Sequence, residues 1–190
     1  MRINSDSVFQ NSMAKAIFII LLHFWVYWFP AYATVKFGNV NCSADQTDVL
    51  SMEECRIKAI NRNLNMIKIR FLLKQKISEL QMNFQFFKRE RGGWHPFLYN
   101  INVNMCEFFQ RPNRFLVLNT FFKFCKKYTS LNHTCPYMPN ESIEIMNYTI
   151  NEKDILQKFP VESGVYALRI IWYHNKKSLL QINGTVDYTE

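Results

Sequence analysis

The stretch Leu80-Gln-Met-Asn-Phe-Gln-Phe86 alternates apolar and polar residues, which is the period of a strand with one buried face. Tyr99-Asn-Ile-Asn-Val-Asn-Met105 repeats the pattern, and the polar segment 88–96 between them carries Gly and Pro punctuation. The two stretches predict an antiparallel hairpin with Met82, Phe84, Phe86, Ile101 and Val103 on one face and a loop over Lys88–Pro96. Met66–Leu73 predicts a further strand, with Ile67, Ile69 and Phe71 on one side and Lys68 and Arg70 on the other. Tyr166, Leu168, Ile170 and Trp172 alternate after Gly164, and Leu180, Ile182 and Val186 follow the polar turn His174–Ser178, giving a second hairpin. Weaker strand patterns cover Val35–Val40, Met52–Ile60 and Ser142–Ile150.

One segment departs from period two. Between Pro112 and Tyr128, apolar residues fall at Phe115, Leu118, Phe121, Phe122 and Cys125, with Lys123, Lys126 and Lys127 interleaved. That spacing predicts a helix over 112–128, opened by Pro112 and laid on a surface. Many short strands with one helical insertion predict an all-β chain folded as a β-sandwich.

The amino terminus reads differently. Ala16–Phe29 is largely apolar, Lys15 precedes it, and Pro30-Ala31-Tyr32-Ala33 follows with small residues where a signal peptidase inspects the chain. This is the pattern of a secretory signal peptide over residues 1–33. A transmembrane helix is the competing reading, but it needs about 20 apolar residues, so no stable membrane span is expected. Met13-Ala14-Lys15 makes a more ordinary start than the polar residues before it. Residues 34–190 then form one extracellular domain, since no repeat or linker interrupts them.

Composition adds little to this outline. Seventeen Phe and nine Tyr suit a thick apolar core or a ligand cavity. The formal net charge of +8 could suggest nucleic acid, but the Lys and Arg residues are scattered. The densest groups, Lys88-Arg89-Arg91 and Lys123-Lys126-Lys127, resemble a turn and the exposed side of a helix, so no nucleic-acid partner is expected.

All five cysteines follow the cleavage point, and an oxidising compartment would pair most of them. Cys42, Cys55, Cys106 and Cys135 are the disulfide candidates; four cysteines can join in three ways, and spacing does not choose among them. Cys125 lies on the expected helix and is the best candidate for the unpaired thiol. Asn-x-Ser/Thr occurs at Asn132, Asn140, Asn147 and Asn183, which become glycosylation candidates behind a signal peptide. A fifth, Asn41, has a cysteine as its middle residue and is the weakest.

The chain lacks Gly-x-Ser-x-Gly, a phosphate-cradling glycine loop and His-Glu-x-x-His. His95, His133 and His174 each fall in an expected loop without a positioned nucleophile. No catalytic residue, cofactor or metal ligand is assigned, and an enzyme is the least supported class.

Val35-Lys-Phe-Gly-Asn-Val-Asn-Cys42, Glu54-Cys-Arg-Ile-Lys-Ala-Ile-Asn-Arg62, Pro96-Phe-Leu-Tyr-Asn100, Cys106-Glu-Phe108 and Asn132-His-Thr-Cys-Pro-Tyr137 occur in that order. With Gly164-Val-Tyr166 and Trp172, they closely resemble a large insect family of small secreted proteins that includes the CheB chemosensory proteins and is related to the ML lipid-recognition domain. The resemblance implies an immunoglobulin-like β-sandwich of about seven or eight antiparallel strands whose sheets can part to admit a lipid. It also implies the bridges Cys42–Cys55 and Cys106–Cys135. Cys125 is not part of the usual pattern, and Gly93-Trp94-His95-Pro96 replaces the more usual Gly-Tyr-Lys-Pro.

The leading expectation is therefore an extracellular carrier of a lipid or other apolar small molecule, with a link to pheromone or other chemosensory recognition implied by the resemblance. Ile67, Ile69, Phe71, Met82, Phe84, Phe86, Ile101 and Val103 are its candidate walls, roofed by Phe115, Leu118 and Phe122. The competing expectation is a module associated with a chemosensory or other cell-surface receptor, with a closed core and no ligand.

Overall fold

The computed structural model describes Lys15, residues 17–19, residues 34–150 and residues 161–189. Contacts divide the chain between Tyr32 and Ala33. In the first unit Lys15 and residues 17–19 are helical, and the rest of the expected signal peptide lies outside the described residues.

The described residues of the second unit form eight strands: β1 (Thr34–Ala44), β2 (Leu50–Ala59), β3 (Asn65–Leu73), β4 (Gln81–Glu90), β5 (Gly93–Asn104), β6 (Ser142–Tyr148), β7 (Gly164–His174) and β8 (Lys177–Thr189). They form two antiparallel sheets, a five-stranded one in the order β1-β8-β7-β4-β5 and a three-stranded one in the order β2-β3-β6. This is an immunoglobulin-like β-sandwich.

Alternation decides which side chains lie between the sheets. Met82 pairs with Val103 and Phe84 with Ile101, so the apolar set of the first hairpin shares one face. On β3, Ile67, Ile69, Phe71 and Leu73 are buried while Lys68 and Arg70 stay half-exposed. Trp172, Ile170, Leu168 and Tyr166 of β7 face the same space and pair with Leu180, Ile182, Gly184 and Val186 of β8.

The expected loop over Lys88–Pro96 is not one. The strands continue to Glu90 and resume at Gly93, leaving Arg91 and Gly92 as the turn, both at positive φ (48° and 79°). That two-residue geometry matches the right-handed twist of the flanking strands. The same solution recurs at Asn175 (φ 51°) and Lys176 (φ 62°) between β7 and β8. Gly93-Trp94-His95-Pro96 and with it His95 therefore belong to β5, not to a rim loop.

The expected helix over 112–128 is divided. A 3-10 turn at Pro112–Arg114 leads into helix α2 at Leu116–Cys125, and a second 3-10 turn follows at Lys126–Tyr128. Ahead of them Met105–Gln110 forms α1, where a strand end was expected. The side chain of Asn104 caps α1, accepting from the N–H groups of Cys106 (2.9 Å) and Glu107 (3.2 Å). Glu107 sits three residues after the cap, the capping-box spacing, and pairs with Arg114 at 3.0 Å.

Two disulfides fasten the edges. Cys42–Cys55 joins β1 to β2 and thus one sheet to the other, and Cys106–Cys135 ties α1 to the loop that precedes β6. Both are the bridges that the resemblance implies. Asn65 adds a second link between the sheets at the start of β3. Its Oδ1 accepts from the N–H of Phe37 at 3.0 Å, and its Nδ2 donates to the Phe37 carbonyl at 2.7 Å.

Candidate functional site

A cavity of about 320 Å³ lies between the sheets. β7 and β8 supply Tyr166, Leu168, Ile170, Trp172, Ile182 and Val186, and β4 supplies Met82, Phe84 and Phe86. Opposite them stand Ile67 and Ile69 of β3 with Ile145 and Tyr148 of β6, while Val35, Phe37 and Val40 of β1 extend the first side beyond β8. Leu118, Phe121, Phe122 and Cys125 of α2 form a third wall, to which Phe97 and Leu98 of β5 and Met105 and Phe108 of α1 add. Among the described residues no charged side chain takes part. Such a space is at the lower end of small-molecule sites by volume and offers burial at about 25 cal/mol per Å² of apolar surface.

Two local features hold this space open. On the inward face of β8, position 184 is glycine, between Ile182 and Val186, and so contributes no side chain opposite Leu168. On the far wall α2 turns Phe121 onto Phe84 (5.2 Å between ring centres) and Phe86 (5.0 Å), while Phe122 packs edge-on against Phe108 (5.5 Å). These rings brace one another as a frame around the space.

The structure divides the expected wall. Ile67, Ile69, Met82, Phe84, Phe86, Leu118 and Phe122 line the cavity. Phe71 and Val103 lie inside the packed core, Ile101 packs partly buried against it, and none of the three reaches the cavity. Phe115 also misses it, because the backbone is still leaving the 3-10 turn there and its ring rests on Phe108 at 6.1 Å. The β7, β8 and β1 walls and Phe121 were not singled out from sequence. Their signal was present in the alternation of Tyr166–Trp172 and the helical spacing of Phe121; only the pairing of sheets tells which alternating faces meet.

The polar groups nearby are already engaged. The Cys125 thiol, in the wall, donates to the Phe122 carbonyl at 3.5 Å, and burial pushes its pKa up from 9.0 to about 11. The Tyr166 hydroxyl donates to the Glu162 carbonyl at 2.7 Å, and burial raises its pKa. Beside it Lys88 Nζ lies 2.8 Å from Glu162 and 3.0 Å from Glu90. The hydrogen bond from Lys88 holds the Glu162 carboxyl below the usual carboxylate range. Among the described residues no group of three His, Cys, Asp or Glu could hold a metal ion. Asn132, Asn140 and Asn147 are exposed; Asn183 is half-buried, and its Oδ1 accepts from Gln181 at 3.1 Å.

The fold and cavity together define a two-sheet β-sandwich with an apolar internal chamber. Residues 82–168, just under half of the chain, match the model of a family described as a protein of unknown function, DUF1091. A crystal structure of a Niemann-Pick type C2 protein from the Japanese carpenter ant overlays on 80% of this chain and 90% of its own, with 14% identity and a TM-score of 0.29. That overlay is too loose to carry any property across. No curated protein matches the chain.

Proposed function

We propose that the chain is a secreted binding protein for a lipid or other apolar ligand, held between the two sheets. The observation that carries this reading is the cavity, whose wall among the described residues is apolar and free of charged side chains. A charged group buried there would lack a partner, whereas an apolar chain would exchange water for hydrocarbon contacts. Secretion rests on the signal-peptide pattern of residues 1–33 and agrees with two disulfides. Among the described residues no helix is long and apolar enough to cross a membrane. A role in chemosensory recognition is the finer reading and rests on the family resemblance. A receptor-associated module with a closed core is less well supported, because the described residues leave the space between the sheets unfilled.

Native mass spectrometry of the gently extracted protein tests this. A mass increment that disappears on denaturation is expected. Protein that carries no increment and takes up neither hydrocarbon nor fatty acyl probes would refute the proposal.

A further inference from the structure

The register around the cavity shifts at several places, and one shift is larger than the rest. Between Phe37 and Asn39, and between Ile145 and Tyr148, a single residue is surplus to the ladder. On β5, by contrast, Phe97, Leu98 and Tyr99 all stand opposite Phe86, because the pairing runs Gln85 with Asn100 and then Phe87 with Pro96. β5 is an edge strand, so the surplus can swell outward without breaking a second ladder.

Leu98 is the tip of this bulge and carries two penalties at once. Its φ is 55°, the left-handed region that bulky residues avoid, and its side chain is 62% exposed. Yet the same residue lines the cavity. Its neighbours are anchored on either side, Phe97 against Tyr166 (5.4 Å) and Tyr99 against Phe121 (6.2 Å). Leu98 is thus an apolar side chain in contact with both water and the chamber, on a locally unfavourable backbone held between two fixed points. Backbone of this kind persists where the surroundings impose it, and it gathers at ligand clamps. Elsewhere β1, β8, β7 and β4 are paired strand to strand with no register shift larger than a single residue, and the β1–β2 edge is stapled by Cys42–Cys55.

We propose that the Phe97-Leu98-Tyr99 bulge is the passage by which an apolar ligand reaches the cavity, and that Leu98 sets the rate of passage. The inference rests on the reading of the cavity as a ligand site. Stopped-flow uptake and release of 1-N-phenylnaphthylamine by the full secreted protein tests both. Leu98→Gly suits the left-handed backbone and removes the side chain; it should speed uptake and release together by about fivefold or more, with little change in Kd. Leu98→Asn tolerates the same backbone and should act in the same direction, whereas Leu98→Trp should slow both rates. Trp94→Ala, at an exposed position on the same strand outside the wall, should leave the rates unchanged. Rates within about twofold of wild type in all the Leu98 variants would overturn the passage and leave the cavity reading intact. An equal response from Trp94→Ala would also overturn it. A wild-type protein that takes up no probe would refute the cavity reading and this inference with it.

Discussion

The same strands build two unlike regions. At one end of the sandwich Phe71 and Leu73 of β3 and Leu179 and Leu180 of β8 are buried among neighbours and do not line the cavity. A few residues along, Ile67 and Ile69 of β3 and Ile182 and Val186 of β8 face an open chamber. The difference lies in what enters between the sheets. At the packed end the loops supply wedges: Ile77 and Tyr137 exchange backbone hydrogen bonds at 2.9 Å, and both are essentially inaccessible together with Leu80. The Tyr137 hydroxyl reaches the His133 carbonyl at 2.6 Å, so even this polar tip is satisfied. At the other end the inward position on β8 is Gly184, and among the described residues no wedge fills the space beside it. One sequence period thus yields a core or a chamber, according to the side chains brought in from outside the sheets.

This contrast can be broken most forcefully at the packed end. Leu73→Ala should cost about 2–5 kcal/mol in urea unfolding, because its surroundings cannot collapse onto the void. Ile182→Ala, in the chamber wall, should cost clearly less, since its lining already lacks partners on one side. Equal losses would mean that the two regions are packed alike. Replacing both Cys42 and Cys55 with Ala should cost about 3 kcal/mol, the loop-closure value for a bridge of this span. It should also loosen the chamber more than the packed end, which hydrogen exchange of β1 against β3 would reveal.

A smaller effect should appear at alkaline pH. Burial favours the neutral Cys125 thiol in the folded chain, with a pKa of about 11 against 9.0 for the ordinary thiol. Above pH 9 the unfolded chain therefore binds fewer protons, and stability falls as pH rises from 9 towards 11. The loss should reach about 2 kcal/mol and vanish in Cys125→Ala. A slope unchanged in that variant would place the titration elsewhere, with the buried Tyr137 phenol, also raised by desolvation, the next group to examine. The smallest change expected is a gain. A Cβ at Gly184 would meet only the Asn39 carbonyl oxygen, at an ordinary 3.7 Å, so Gly184→Ala should stabilise by about 0.5 kcal/mol.

Much of the architecture was legible because burial on one face imposes period two. That Met82, Phe84, Ile101 and Val103 share one face, and that the stretches of Trp172 and Leu180 form one hairpin, follows from alternation and the turn signals. Helix α1 was hidden because the alternating pattern of Tyr99–Met105 runs into it without a break; the Asn104–Glu107 cap spacing was the available signal. The turn at Arg91-Gly92 was masked by Pro96, which reads as loop punctuation but sits on an edge strand that tolerates a missing donor. The chamber itself was least legible. Phe71 and Ile69 are indistinguishable by pattern; both are buried, and only their places in the folded sandwich make one a core residue and the other a wall residue.

The central claim is that the space beside Gly184 is a binding chamber and not a packing defect. Equilibrium titration of 1-N-phenylnaphthylamine into wild type and Gly184→Val, with thermal unfolding of both, tests it directly. Saturable uptake by wild type is predicted, weakened about tenfold or more by the added side chain while Tm stays level or rises. Uptake that is absent in wild type, or equal in the two proteins, would contradict the claim.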